Sequence, residues 1–296
     1  MLQFKNHEFI YAGNRSTVLR QMLDLGLNVT LVLPLKGSRL EQEMPLFSLP
    51  YLTVKSKAEA VSVICNSRFD VFVSTGFPFI LPITRIRHQH PKAVFVNVHP
   101  SFLPDLRGAD PIPGAIIHGR DSGATCHLMD DGIDTGPIIA QVKLPYSPLL
   151  DSELLYNLCF KLEPQVFKMA LQRAFRPKPI QNSKPNLVYY SFKESDRIMR
   201  LSESDTQTVA RVRAFNTHSK GVRFMVDSTE YLTFGADILP ITTPFEAFSH
   251  TIPNTVTAIA GSSIIIAKPS TAIRFHQVKP PPHLSLLGHQ LVQIPI

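Results

Sequence analysis

The chain has 296 residues, 44% of them apolar and 18% charged, which excludes a disordered polypeptide, and no run approaches the roughly 18 apolar residues of a membrane-spanning helix. Its formal charge of +7 is spread along the sequence without a polybasic run, which favours small anionic ligands over nucleic acid. Three cysteines (Cys65, Cys126, Cys159) with no CxxC or Cys/His spacing argue against a disulfide framework or a structural metal. The N-terminal MLQFKNHEFIYAG has no charged segment leading into a long apolar core, so a soluble cytoplasmic protein without a signal peptide is expected.

EFIYAG, residues 8 to 13, reads as a short strand ending in glycine. NRSTVLRQMLDLG carries Val18, Leu19, Met22, Leu23 and Leu25 at helical spacing and stops at Gly26. NVTLVLPL is a second buried strand, followed by a helix in KAEAVSVICNS and a strand in VFVST. FPFILPITRIRHQHP reads as helix-poor, and AVFVNVHP as another strand. DPIPGAIIHG predicts a helix, ATCHLMD and GPIIAQVKLP predict strands, and SELLYNLCFKLEPQVFKMALQRAF a long amphipathic helix. Strands alternating with helices, and apolar throughout, predict an α/β fold with a doubly wound, mostly parallel sheet covered on both faces.

PKPIQNSKPN is rich in proline and polar residues, as a linker is. Beyond it DTQTVARVRAFN predicts one helix. Then VRFMV, YLTF, TVTAIA, SIIIAK, TAIRFHQV and QLVQIPI predict short strands, which suit a small β-rich domain of the OB-like barrel type. The expected organisation is a first domain over 1–180, a linker over 181–204 and the small C-terminal domain over 205–296.

Ligands of open parallel sheets meet the carboxyl ends of the strands. In NVHPSFLPDLRG, Asn97 and His99 stand two apart, so a strand projects both to the same side. MDDGIDTG, residues 129 to 136, again follows a strand, and its glycines and aspartates make a turn with backbone N–H groups free to meet a ligand. Asp134 lies far enough after His99 for one helix and one strand, so a crossover is expected to bring the two strand ends together. An Asn amide and an imidazole can donate to an oxygen that becomes negative in a tetrahedral intermediate. A carboxylate beside the imidazole can hold its protonated form and help take a proton from an attacking amine. No Ser or Cys stands where a covalent nucleophile would, so direct acyl transfer to an amine fits better than an acyl-enzyme. A lone His after a strand and a lone DG turn are ordinarily structural. The inference rests on their combination with the SFLPDLRG loop.

NVHPSFLPDLRGADPI and HLMDDGIDTGPIIAQ resemble the signature of the 10-formyltetrahydrofolate-dependent formyltransferases, whose acceptors include methionyl-tRNA, glycinamide ribonucleotide and amino sugars. The family's Asn-x-His, its S-L-L-P-x-x-R/K-G loop and its D-x-G-x-D-T-G all recur here, with Phe102 the one departure in the loop. The resemblance implies a Rossmann-like formyltransferase domain in which Asn97, His99 and Asp134 are the catalytic trio. GFPFILP is similar to the family's pterin-pocket segment, so Phe79, Ile80 and Leu81 would line the folate ring. The backbone of Asp130, Asp131, Gly132 and Ile133 up to Asp134 would close over it. The resemblance further implies 10-formyltetrahydrofolate as formyl donor and co-substrate, and no metal. The C-terminal strands are similar, more weakly, to the small barrel-like domain of longer members, a candidate for dimerisation.

The acceptor is less legible. Members acting on methionyl-tRNA usually open with a G-T-P-x-F turn, carry a long basic insertion and have an N-P-W-P-G-A stretch. This chain has YAGNRS, a short KGSRLEQEMP segment with only Lys36 and Arg39 as phosphate contacts, and Asn216 to Gly221 without that stretch. GNRSTVL resembles a phosphate-gripping turn, since a helix N-terminus suits phosphate, although Asn14 or Ser16 as a plain helix cap is the commoner reading. Asn14, Ser16, Ser101 and Arg107 are the candidate substrate contacts. The expected acceptor is an amino-sugar nucleotide or similar small amine, with methionyl-tRNA as the alternative. Two other classes stay open, a hydrolase releasing formate from the folate and a non-catalytic folate-binding module.

Overall fold

Alternation along the buried strands decides the architecture. In β1 (Glu8–Gly13), Phe9 and Tyr11 enter one apolar layer and Ile10 and Ala12 the other. The helix α1 (Thr17–Asp24) buries Val18, Leu19 and Met22 in the first layer, and β2 (Asn28–Pro34) follows it. After the short α2 (Arg39–Glu43), α3 (Lys57–Asn66) sends Ala60 and Ile64 to the second layer. In β3 (Val71–Thr75), Val71 and Val73 face the first layer and Phe72 the second. α4 (Ile83–Gln89) buries Ile83 and Ile86 in the second layer, and β4 (Val94–His99) divides Val96 and Val98 from Phe95 in the same way. Helices thus cover both faces, as period-2 burial on both sides requires. The structure, a computed structural model, describes residues 4–177, 181, 186–217, 220–240, 252–269 and 271–295.

α5 (Pro111–Ile117) leads to β5 (Ser122–Leu128) and β6 (Ile138–Leu144), and α6 (Ser152–Gln172) packs Val166, Phe167, Ala170 and Leu171 onto the first layer. The six strands form one sheet in the order β2-β1-β3-β4-β5-β6. β1, β2, β3 and β4 pair in parallel, and the order reverses between β1 and β3, the switch point where such sheets open a crevice. The expected mostly parallel, doubly wound sheet is therefore present, with a correction at its edge. β5 runs antiparallel to β4, and β6 antiparallel to β5. The loop 129–137 is too short for the dozen or more residues of a parallel crossover, so it closes a hairpin instead. A second correction is α4, which lies in the segment read as helix-poor.

The chain divides into two compact units, Met1–Pro111 with Asp121–Pro145 and Tyr156–Tyr190, and Ile112–Arg120 with Tyr146–Leu155 and Ser191–Ile296. The second holds α7 (Asp205–Ala214), started by a capping box between Ser204 and Gln207. It also holds β7 (Val222–Val226), β8 (Thr229–Thr233), β9 (Gly235–Pro240), β10 (Val256–Ala260), β11 (Ser263–Ala267), β12 (Thr271–His276) and β13 (Leu291–Val292). These form two antiparallel sheets, β10-β11-β12-β9 and β13-β7-β8, with the rings of Phe224, Tyr231 and Phe275 stacked in their core. The expected barrel does not close among the described residues. Among the described residues the two sheets meet at isolated bridges, such as Leu232 to Lys279 and Thr255 to Gln290, and not along a continuous ladder. β9, in GADILP, is an additional strand. Among the described residues no helix is long and apolar enough to cross a membrane.

Candidate active site

β4 delivers its last residues to the carboxyl end of the sheet. Asn97 and His99 point the same way, as their spacing dictates, and the chain then turns through Ser101, whose buried Oγ donates to the Asp105 carbonyl at 3.2 Å. The loop carries Leu106 in the left-handed region at φ 59°, which aims its carbonyl back at β4. His99 Nε2–H donates to that carbonyl at 3.0 Å. This bond fixes the ring, and Nδ1 then faces Asp134 Oδ2 at 3.7 Å.

Asp134 arrives by a different route from the expected crossover. The β5–β6 hairpin folds loop 129–136 back over β4, and Asp134 itself sits at φ 54°. Gly136 makes this close turn feasible, since a Cβ there would lie 1.8 Å from the Leu128 carbonyl oxygen. The Asp134 carboxylate is 11% exposed and engaged on every side. Oδ1 accepts from Asn97 Nδ2 at 3.2 Å and Oδ2 from the Gly108 N–H at 3.1 Å. Burial alone pushes this carboxyl up, but the His99 imidazole and the Gly108 N–H oppose it, and Asp134 is held well below the usual carboxylate range.

His127 is a site residue that the sequence pattern did not mark. The antiparallel register puts it directly opposite Asn97. Its Nδ1–H donates to the Leu128 carbonyl at 2.8 Å, which leaves Nε2 to accept from Asn97 Nδ2 at 3.2 Å, 3.5 Å from Asp134 Oδ1. Asn97, His99, His127 and Asp134 therefore form one network. Both Nδ2 hydrogens of Asn97 are engaged, one by the Asp134 carboxylate and the other by the His127 ring.

The remaining candidates divide. Asp131 Oδ1 accepts from the Thr84 N–H at 3.0 Å, tying the loop to the start of α4, and this bonding with Thr84 lowers its carboxyl. Asp130 Oδ1 accepts from the Gly132 N–H at 3.1 Å and from Thr135 Oγ1 at 2.7 Å, which shapes the turn around Ile133. Phe79 is half-buried, edge-on to Phe77 at 5.2 Å, and Ile80 is 47% exposed, whereas Leu81 is buried in the second apolar layer. Arg107 Nη2 donates to Gln181 Oε1 at 2.8 Å. Asn14 Oδ1 accepts from Arg15 Nη1 at 2.9 Å, and Ser16 Oγ donates to Glu43 rather than capping α1. Asn14 and Ser16 lie on the turn after β1, apart from the Asp134 network in hydrogen bonding. Among the described residues no group of His, Cys, Asp and Glu is arranged to hold a metal ion.

Residues 42–171 match the family described as Formyl transferase. The matched segment covers less than half of the chain. Among curated relatives, the chain is similar to the methionyl-tRNA formyltransferase of a Synechococcus species, 45% identical over 107 residues, 32% of this chain and 33% of that protein. It is also similar to the methionyl-tRNA formyltransferase of Microcystis aeruginosa, 28% identical over 190 residues, 63% of this chain and 57% of that one. The chain thus spans about half the length of the second relative, and a third of the first, where they match. In fold it resembles the N-formyltransferase of Helicobacter canadensis, solved with folinic acid and dTDP-3-aminofucose. That likeness has a TM-score of 0.68 at 18% identity, covering 91% of this chain and 98% of that one.

Proposed function

We propose that this protein transfers a formyl group from 10-formyltetrahydrofolate to a primary amine by direct attack, with an amino-sugar nucleotide or similar small amine as acceptor. The observation that carries the reading is the single hydrogen-bonded network of Asn97, His99 and Asp134 at the carboxyl end of β4. The neighbouring residues fit a folate: half-buried Phe79 and exposed Ile80 offer an apolar wall, and the Thr84–Asp131 bond fixes the polar loop beside it. 10-Formyltetrahydrofolate supplies the acyl carbon when bound.

The chain's own groups do the rest. As an amine attacks the formyl carbon, its oxygen becomes negative, and the donors for it are Asn97 Nδ2 and His99 Nδ1, which at 3.7 Å from Asp134 Oδ2 is not held by a hydrogen bond. Asn97 frees a hydrogen by giving up its bond to His127 and keeping the charge-assisted one to Asp134. A carboxylate held as low as that of Asp134 is a poor proton acceptor, so its main part is to pair with the imidazolium of His99 and orient it. The amine proton would pass by way of this pair to the folate nitrogen, whose bond to the formyl carbon breaks as the oxyanion collapses, so that the folate leaves as a neutral amine.

Loss of one such donor lowers turnover by about 10²–10³. Asn97→Ala, His99→Ala and Asp134→Asn are therefore expected to abolish most transfer while their circular dichroism stays that of the wild type. The assay follows formyl transfer from 10-formyltetrahydrofolate to a panel of 4-amino and 3-amino sugar nucleotides, with charged initiator tRNA and a no-acceptor control. Wild-type turnover by His99→Ala would sink the assignment. Methionyl-tRNA is the second reading, favoured by the names of the curated relatives. Turnover on charged tRNA alone would select it and leave the mechanism in force.

A further inference from the structure

The segment after α6 reads in sequence as a linker, yet its described residues lace onto the loop that follows β4. Asp105 Oδ1 accepts from the Val188 N–H at 2.7 Å, and the Tyr190 N–H donates to the Arg107 carbonyl at 2.9 Å. Arg107 and Tyr189 form a parallel bridge, and the Asp110 N–H donates to the Tyr190 carbonyl at 3.3 Å. Gly108 lies inside this lacing at φ 112°, where a Cβ would stand 2.4 Å from the Tyr190 carbonyl oxygen. The same Gly108 donates its N–H to Asp134. The returning segment thus sets one of the groups that hold Asp134.

Gln181 sets the other end. Its Oε1 accepts from Arg107 Nη2 at 2.8 Å, and its Nε2 donates to the carbonyls of Asp134 at 3.1 Å and Gly136 at 2.6 Å. The amide orientation is forced by its partners. Turned over, the oxygen would meet two carbonyls and the NH2 a guanidinium N–H, repulsive on both sides. One side chain therefore spans the SFLPDLRG loop and the DDGIDTG loop, and grips the backbone at the residue whose left-handed φ the fold must sustain.

We infer that Gln181 is a positioning residue, anchored by Arg107, that clamps the Asp134 backbone so that the carboxylate sits between Asn97 and His99. The inference rests on the proposed role of Asp134 for its effect on turnover, and on geometry alone for the clamp. Neither the resemblance of the motifs nor the alternation of the strands points to Gln181. It stands in a polar, proline-rich run with no pattern of its own.

The test uses the full chain with Gln181→Met, which keeps the side chain's length and loses its hydrogen bonds, and Gln181→Glu, which keeps the acceptor for Arg107 and loses the two donors. Two readouts are taken. The first is the Gly108 amide proton, displaced downfield by its bond to a carboxylate and assigned by its change in Asp134→Asn. The second is formyl transfer with 10-formyltetrahydrofolate. The clamp predicts that Gln181→Met and Gln181→Glu both move the Gly108 resonance toward its Asp134→Asn position. It also predicts that kcat falls about 10²-fold, as misplacement of about 1 Å does, while the KM for the folate holds. A brace that serves stability alone would lower the melting temperature and leave both readouts at wild type, which overturns the inference. A Gln181→Glu protein with both readouts at wild type would overturn it too, since the donors would then be idle. If Gln181→Met does not fold, Arg107→Ala replaces it, and the same displacement of the Gly108 resonance is expected. A displaced Gly108 resonance in a protein whose wild type transfers no formyl group would uphold the clamp and reject the formyl-transfer reading instead.

Discussion

Glu163 is fully buried on α6, and its carboxylate takes the Arg15 guanidinium of the turn after β1, itself only 12% exposed. Oε2 accepts from Arg15 Nε at 2.9 Å and from Thr17 Oγ1 at 3.1 Å, while Oε1 accepts from Arg15 Nη2. The Phe160 ring lies 4.3 Å below the guanidinium. Burial alone would lower the affinity of Arg15 for its proton, and the carboxylate reverses that. Glu163→Ala leaves a cation in an apolar wall with its partner gone. Breaking a buried pair from one side costs about 3–5 kcal/mol, a large share of the 5–15 kcal/mol that holds a typical domain together. At about 2–4 °C per kcal/mol that is a fall of roughly 6–20 °C in the melting temperature. Removing both partners, as in Arg15→Met with Glu163→Leu, is expected to recover most of the loss, because no uncompensated charge remains. The chain has no tryptophan, so urea and thermal melts are followed by circular dichroism. A loss under about 1 kcal/mol in Glu163→Ala would refute the reasoning, as would a double variant no more stable than the single one.

Burial pushes the Cys126 thiol up, and pushes Cys159 up to about 11, whereas Cys65 is half-buried at the surface of the second layer. A maleimide near neutral pH is expected to label Cys65 alone in the native protein and all three thiols after denaturation, counted by mass spectrometry; native labelling of Cys126 would contradict the burial. Asp134 is held below its usual range, so its ionised form contributes stability that is complete above about pH 3.9, the ordinary aspartate value, and is lost as pH falls below it toward the folded value. Asp134→Asn is therefore expected to be less stable than wild type at neutrality, with the gap closing below about pH 4; a gap that does not change with pH would be the opposing result in urea melts.

The alternation of apolar residues made the first four strands legible, because each is buried on both faces and reads as a continuous run. α4 was hidden for the opposite reason. Thr84, Arg85, Arg87, His88 and Gln89 face water, so Ile83 and Ile86 are its only core positions and the helical period has too few marks to register. Asn97 and His99 were legible from their spacing, but how Asp134 reaches them was not. A parallel crossover and a hairpin both return a loop to the end of β4, and only the antiparallel register brings His127 opposite Asn97. The site residues that escaped detection, His127 and Gln181, act through long-range partners, which local periodicity does not record.

The turn after β1 bears on the acceptor. The basic residues of this turn, of α1 and of the segment after β2 are already paired: Arg15 with Glu163, Arg20 and Arg39 with Glu43, and Lys36 with Glu41. Ser16 and Arg39 hold Glu43 down to about 2, so that carboxylate stays charged across the working range. A phosphate approaching here meets compensated cations and must be held by uncharged donors and backbone N–H groups. For a sugar nucleotide that predicts a KM changing no more than severalfold between 50 and 200 mM salt. A charged tRNA, which neutralises many phosphates on binding, would lose affinity by about 10³ over the same range. Measured under one set of salt conditions with both acceptors, a shallow dependence favours a small nucleotide-linked amine. A dependence steeper than tenfold for the sugar nucleotide would mean that unpaired cations recruit it and that this reading of the turn is wrong.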